Sequence, residues 1–367
     1  MKNVLDIVSY KYLPYTSGGQ KCIALLLAYL GKQTRLCVVG TDENDVQLAN
    51  NYTLYPLLKK GVLKYADLSA IFRLKAFIKS HQIEVVMMEQ PFMGWLGVVL
   101  KFLSGVKLII RSHNIEYIRF KTMGKPWWYL LKIYETWVLR NADMVFSISD
   151  EDRDWMINKM GISARKCITI PYGIIQDRVP VNKQQCKEKV CALHGFDPSS
   201  TLLFFNGMLN YAPNTDALKD IIFKINPLLL HRGFDYTILV AGKNLPDEFN
   251  HLKSYNNEHI YYAGYVEDID LYTQAADVFL NPVNSGGGVK TKMIEALGMN
   301  TTVISTINGA MGVDKSVCGD KLKIVGNDDW EGFAEAVIQA ATNEESIPLQ
   351  YYSTYHWSNI VNKLLTN

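Results

Sequence analysis

The sequence predicts two α/β halves of the doubly wound kind, and three observations carry that prediction. Short apolar runs alternate with helix-spaced apolar stripes along the whole chain. One run, Ile83–Glu89, is apolar almost throughout, as strands buried on both faces of a parallel sheet are. The length, 367 residues, exceeds what one core of about 150 residues organises.

The first half reads in order. Val4–Ser9 is a strand, followed by the loop Tyr12–Gly19 and a helix from Gln20 to Leu30 with Ile23, Leu26, Leu27 and Leu30 as its stripe. Arg35–Val39 is the next strand. A helix over 66–80 leads to Ile83–Glu89, and a helix over 92–104 to strand Val106–Arg111. A helix over 126–140, strand Asp143–Ser147, a helix over 150–160 and strand Lys166–Ile170 complete this half. Pro171–Lys183 carries two prolines without periodicity and reads as a linker. The expected domains are 1–175 and 176–346.

The second half opens with strand Leu202–Phe205, then a helix over 213–230 and strands Tyr236–Ala241 and His259–Tyr262. A short helix near 267–275 precedes the stretch that carries most of the chemistry. There Val278–Leu280 is a strand, Asn281-Pro282 ends it, and Gly286-Gly287-Gly288 opens a helix whose stripe is Val289, Met293 and Leu297. Gly288, Lys292 and Glu295 share another face of that helix. A glycine turn at a helix start offers backbone N–H groups to an anion, above all a phosphate. From three glycines alone a plain turn with a solvated Lys and Glu is the favoured reading, since glycine-rich turns are common and neither GxGxxG nor GxxxxGK[ST] is present. Strands Thr301–Thr306 and Leu322–Val325, a helix over 329–341 and a terminal segment over 347–366 follow.

Composition narrows the class. Apolar content of 48%, charged content of 20% and net charge +2 describe a globular chain without a polyanion-binding footprint, so nucleic acid is not an expected partner. The six cysteines form no CxxC or Cys/His zinc spacing, and no metal site or cofactor is expected. No signal-peptide pattern and no apolar run near the roughly 18 residues of a spanning helix is read, so a cytoplasmic location is expected.

Other candidates stand at strand ends. Gly18-Gly19 can bring backbone amides to a phosphate or sugar, or serve as a helix-entry turn. His113, in Arg111-Ser112-His113-Asn114-Ile115-Glu116, can hold a sugar hydroxyl or phosphate, or cap a helix. Gly207 ends one strand; Lys243 follows another and can neutralise a diphosphate or lie solvated. With Lys290 and Lys292, these ends are expected to converge on one electropositive pocket. Asp268-Ile269-Asp270 sits at a helix start, where carboxylates are ordinary. Trp127-Trp128-Tyr129 with Lys121, Lys125 and Lys132 has the composition of a membrane-interface patch. The core stripe Trp128, Leu131, Tyr134 and Val138 is the favoured reading of the same helix.

Taken in order, these pieces resemble the retaining nucleotide-sugar glycosyltransferases of family four, with the GT-B architecture of two Rossmann-like domains facing across a cleft. The resemblance runs through Pro14 and Gly18-Gly19, SHNIEYIRF at 112–120, Tyr134-Glu135, NADMVFSISDED at 141–152 and PYGI at 171–174. It continues through FNGMLNYAPNTDAL at 205–218, AGKN at 241–244, GYVEDI at 264–269 and NPVNSGGGVKTKMIEALGMNTTVIST at 281–306. It implies that Glu295 holds the nucleotide ribose and that Gly286, Gly287, Gly288, Val289, Lys290 and Lys292 line the donor diphosphate. It also implies that His113 lies near the donor sugar, and that segment 347–367 packs back on the N-terminal domain. Two positions depart from the family pattern: Gly287 stands where a first glutamate is usual, and Met208 where an arginine is usual. The implied activity is retaining transfer from a nucleotide sugar to a glycan or lipid-linked acceptor in surface polysaccharide or glycoconjugate biosynthesis, with peripheral contact at the inner membrane face. A nucleotide-sugar epimerase of the same fold and a non-catalytic binding subunit are the alternatives.

Overall fold

Seven parallel strands form the first sheet: β1 (Asn3–Val8), β2 (Arg35–Thr41), β3 (Thr53–Leu58), β4 (Val85–Glu89), β5 (Lys107–Ser112), β6 (Met144–Ser147) and β7 (Cys167–Thr169). Their order is β3-β2-β1-β4-β5-β6-β7, so the sheet winds outward from β1 in one direction and from β4 in the other. Six parallel strands form the second: β8 (Thr201–Met208), β9 (Tyr236–Lys243), β10 (Ile260–Gly264), β11 (Val278–Asn281), β12 (Thr302–Thr306) and β13 (Leu322–Val325). Their order, β10-β9-β8-β11-β12-β13, reverses between β8 and β11. Helices connect the parallel strands, and these are the two doubly wound α/β halves of the GT-B architecture. The computed structural model describes residues 2–366. Among them no helix is long and apolar enough to cross a membrane.

The chain divides into a first unit that ends at Gly173 and resumes at Trp357, and a second unit, Ile174–His356. The boundary therefore falls two residues before the expected 175/176. Of the terminal segment, helix Leu349–Tyr355 stays with the second unit, and only helix Trp357–Thr366 returns to the first. Trp357 is fully buried there, and its ring occupies the space that a Cβ on Gly173 would need, 2.5 Å away.

Three strands or α-helices were not anticipated: β3, helix Glu116–Thr122 and helix Lys183–His194. β3 contains Pro56, which removes a ladder donor, and the strand survives because it is the sheet edge. Helix Lys183–His194 begins at the last residue of the expected linker; its mostly charged and polar surface gives little periodic signal, and only Cys186, Val190 and Cys191 are buried. The helix anticipated over 213–230 is broken by a wide turn at Ile221–Ile225. Pro227 explains it: a ring in a helix interior clashes with the carbonyl four residues back, and the wider turn opens room.

In the first unit, helix Trp128–Asn141 buries Glu135, Val138 and Leu139, with Trp128, Leu131 and Tyr134 packed at the core margin as the stripe requires. The Glu135 carboxylate accepts the Glu116 and Tyr117 amides at 3.0 Å each, capping the start of helix Glu116–Thr122. Burial raises its pKa to about 7 against those two bonds. Helix Gly94–Ser104 touches Val138 through Gly94, where an added Cβ would lie 2.2 Å from Val138 Cγ1. Gly94→Ala should therefore destabilise the chain by about 1–3 kcal/mol through overpacking. Urea unfolding of the single and double variants checks this: adding Val138→Ala should reduce the loss caused by Gly94→Ala.

Candidate donor site and a buried histidine cluster

Both sheets reverse winding at one place, and ligands of open α/β sheets bind beyond the strand ends there. In the second unit that place is the carboxyl ends of β8 and β11. β8 ends in Asn206-Gly207-Met208 and β11 in Asn281, which leads into the triple-glycine loop. Asn281 Nδ2 donates to Ser305 Oγ at 2.9 Å and to the Gly309 carbonyl at 3.0 Å, and Thr306 Oγ1 donates to the Val283 carbonyl at 2.7 Å. Asn308 Nδ2 adds a bond to the Asn284 carbonyl at 2.8 Å. The start of the loop is thus tied to the end of β12 and to the turn that follows it.

Within the loop Gly286 and Gly288 take φ of 82° and 78°, which favours glycine. A Cβ on Gly286 would also meet Pro213 Cγ at 2.8 Å. Gly287 differs: its φ is not positive and a Cβ there would meet nothing within 4 Å. The helix begins at Thr291 and ends at Gly298, so Val289 precedes it and lies half-buried instead of starting the stripe. The stripe is Met293, Ile294, Ala296 and Leu297, all buried. Lys290, at the N-cap, makes no side-chain cap bond, which leaves the first-turn amides without a side-chain acceptor from that position. Instead its ammonium curls over the loop, donating to the carbonyls of Gly286 at 2.8 Å, Gly287 at 3.3 Å and Gly288 at 3.0 Å.

Lys292 reaches across to β8. Its ammonium donates to the Asn206 carbonyl and to Asn214 Oδ1 at 3.2 Å. Only glycine at 207 permits this approach, because a Cβ would lie 2.7 Å from Asn214 Nδ2 and 2.8 Å from Lys292 Nζ. Gly242, paired with Gly207 in register, is equally constrained: its Cβ would meet the Gly207 carbonyl oxygen. Burial lowers the pKa of Lys290 to about 8. It does the same to Lys292, also to about 8, with Lys290 adding to the effect and Glu295 opposing it. Glu295 is half-buried on the same helix, one turn on from Lys292. Lys243, at the end of β9, is exposed, and its ammonium sits 3.9 Å from the centroid of the Tyr265 ring, held by the negative ring face. Asn206 and Asn214 were missed; their only advance signal was position, at a strand end and in the turn after it.

In the first unit the reversal lies between β1 and β4. Gly18 and Gly19 are not in the loop but form the first turn of helix Gly18–Gly31, capped by Ser17 and closed by a Gln20 capping box. Their amides face the open start of that helix. His113, directly after β5, is buried at 7% exposure. It contacts Glu89 at the end of β4 through Nε2, and Arg111 donates to the same carboxylate at 2.9 and 3.1 Å. Glu89 was read only as the end of a strand, so this network was missed. Among the described residues no three His, Cys, Asp or Glu side chains gather into a metal-holding group.

Sequence comparison agrees half by half. Residues 16–178 match the family described as Glycosyltransferase Family 4, and residues 200–343 the one described as Glycosyl transferases group 1. The chain carries both domains of a GT-B glycosyltransferase. An uncharacterized 44.6 kDa protein in the cps region of Klebsiella pneumoniae is 24% identical over 252 residues, covering 64% of this glycosyltransferase and 60% of that protein's length. A glycosyltransferase from Rickettsia africae superposes with a TM-score of 0.74 at 14% identity, covering 100% of this chain and 97% of that one. HepE from Anabaena, solved in complex with UDP-glucose, gives 0.68 at 13% identity with both chains covered in full.

The glycine loop of this glycosyltransferase yields a contrast. Gly286→Ala should destabilise by about 1–3 kcal/mol through strain at positive φ and the Pro213 contact, whereas Gly287→Glu should stay within about 0.5 kcal/mol of wild type. Chemical denaturation of the two variants checks the difference.

Proposed function

We propose that this glycosyltransferase moves a sugar from a nucleotide-sugar donor to a glycan or lipid-linked acceptor, with retention at the anomeric carbon and without a cofactor. The observation that carries the reading is the Lys290–Lys292 pair behind the triple glycine, two desolvated ammoniums at the start of a helix. Such a place is raised in potential and favours a diphosphate, and most of all the charge that grows on it as the sugar leaves. In the proposed step the bond from the anomeric carbon to the diphosphate oxygen breaks. The acceptor oxygen forms its bond on the face the diphosphate vacates. Glu295 holds the nucleotide ribose and His113 contacts the sugar, roles that rest on the family resemblance. The HepE complex supports a uridine nucleotide as the first donor to test. The cps-region relative supports a role in surface polysaccharide or glycoconjugate biosynthesis.

Calorimetric titration with UDP, alongside hydrolysis assays over UDP-, GDP- and ADP-sugars, tests this. Both lysines titrate near pH 8, and a bound diphosphate raises their pKa, so binding takes up protons at that pH. The sign follows: affinity should fall as pH rises from about 7 through 9, and the heat at pH 8 should depend on the buffer's ionisation enthalpy. Buffer-independent heats would remove the lysines from the site. Absence of turnover across the panel would remove the transferase reading.

The acceptor side is proposed to work at the inner face of an anionic membrane. Helix Trp128–Asn141 presents a second apolar face outward, with Leu130 at 55%, Ile133 at 67% and Trp137 at 43% exposure, preceded by Trp127 at 43%. Between residues 117 and 142 the exposed charges are Arg119, Lys121, Lys125, Lys132 and Arg140, while Glu135 is buried. Aromatic and aliphatic side chains flanked along the chain by exposed cations suit an interface of acyl chains and anionic head groups. Co-sedimentation should show binding to phosphatidylglycerol vesicles and little to phosphatidylcholine, with Ile133→Glu reducing it about tenfold. Self-association without vesicle binding would instead assign the face to a second copy of the chain.

A further inference from the structure

The proposed transfer uses His113 but gives no task to the buried groups that hold it. Glu89 on β4 lies beside Arg111 on β5, and Asp6 on β1, opposite Met87, lies two positions back on the same face; each is at most 1% exposed. Arg111 Nη1 donates to both Glu89 oxygens, and Nη2 to Cys22 Sγ at 2.9 Å. Tyr10 stands nearby, its hydroxyl accepting from Gln90 at 3.4 Å. Neither oxygen of Asp6 has a partner. Burial, with the Glu89 charge adding, raises the Asp6 pKa well above the carboxylate range, which keeps it neutral. Burial works against ionised Glu89 too, but the Arg111 charge and the hydrogen bonds that Arg111 and His113 make to it hold its pKa low. The cluster therefore resolves into one ion pair, Glu89–Arg111, with neutral neighbours.

This fixes the imidazole. An ionised carboxylate only accepts, so the His113 nitrogen bonded to Glu89 carries the hydrogen. Burial lowers the His113 pKa, so the ring is neutral and its other nitrogen bears a lone pair. Arg111 Nη1, 3.1 Å from Nε2, is a second donor converging on the same carboxylate and cannot reverse this assignment. No side chain among the described residues is bonded to Nδ1.

We propose that Glu89, anchored by Arg111, is a positioning residue that fixes His113 as the Nε2–H tautomer and presents Nδ1 as an acceptor to a hydroxyl of the transferred sugar. The proposal rests on the transferase reading for its substrate, but the tautomer itself does not. A carboxylate is needed because an amide cannot serve both neighbours. In Glu89→Gln the side-chain oxygen must face the Arg111 donors, which turns the NH2 toward Nε2 and moves the ring hydrogen to Nδ1.

The test is nitrogen–proton correlation NMR on the full chain labelled with 15N-histidine, without donor, with His113→Gln identifying the signal. Wild type should show Nε2–H between pH 6 and 9, and Glu89→Gln should show Nδ1–H. With the donor found to be turned over, Glu89→Gln should lower kcat/KM by about ten- to hundredfold. In a His113→Gln background it should lower it no further. Nδ1–H in wild type overturns the proposal, and that spectrum needs neither Glu89→Gln nor a donor that reacts. An unshifted tautomer in a folded Glu89→Gln, or an equal loss of activity in both backgrounds, overturns it as well. Turnover failing with every donor while the wild-type ring is Nε2–H sinks the transferase reading and the sugar contact, and leaves the tautomer standing.

Discussion

Everything functional in this chain depends on a constraint of parallel sheets. Parallel neighbours need a crossover, crossovers keep one hand, and a sheet that grows from a central strand in both directions must reverse once. At the reversal the two flanking crossovers leave in opposite directions, and the strand ends between them stay uncovered. β1 and β4 flank one such opening, β8 and β11 the other. Gly18-Gly19 and Glu89 belong to the first; Gly207, the triple glycine and Lys292 belong to the second. The glycines are there because backbone and ammonium groups must come closer than a Cβ allows, as at Gly207 and Gly242.

The two openings treat buried charge in opposite ways. In the second unit, lysine ammoniums are satisfied by carbonyls, from Gly286 to Gly288 and from Asn206, while Glu295 opposes the lowered Lys292 pKa without abolishing it. Carbonyl dipoles keep the ammoniums in place without cancelling their charge, which leaves an attraction for an anion unspent. In the first unit, the Glu89 and Arg111 charges cancel within one bonded pair, and Asp6 is pushed to its neutral form. Such a cluster attracts no ion; it holds a neutral ring in one orientation. One opening is built to bind charge and the other to set geometry.

The sequence announces the charge-binding opening more clearly than the geometric one. Glycines in a row, a strand before them and Lys292 and Glu295 at helical spacing are local signals, read within one stretch of chain. The departures within that stretch are also local in cause: Val289 falls outside the helix because Lys290 takes the N-cap and bonds the loop. Glu89, Arg111 and Asp6 carry no such mark. Each sits in an apolar strand, far apart in sequence, and only the register β1–β4–β5 brings them together. The outward face of helix Trp128–Asn141 is legible only in part: Trp127-Trp128-Tyr129 with its lysines suggests an interface patch, but the core stripe is the favoured reading. Its inward stripe, Trp128, Leu131, Tyr134 and Val138, reads as an ordinary core helix, and a helix apolar on both sides has no contrast for periodicity to detect.

The short helix at the donor loop raises a last question of stability. Thr291–Gly298 is two turns long, far below the length at which a helix holds itself, so its geometry must be imposed by packing. The buried stripe supplies one side. The other constraint comes from helix Leu349–Tyr355, where Tyr351 donates its hydroxyl to the Ile294 carbonyl at 2.7 Å and Tyr352 to the Gly298 carbonyl at 3.0 Å. These bonds satisfy carbonyls of the final turn, and both tyrosines are buried, so water does not compete for them. The terminal segment therefore acts on the candidate site at one remove, by fixing the helix that follows the glycine loop.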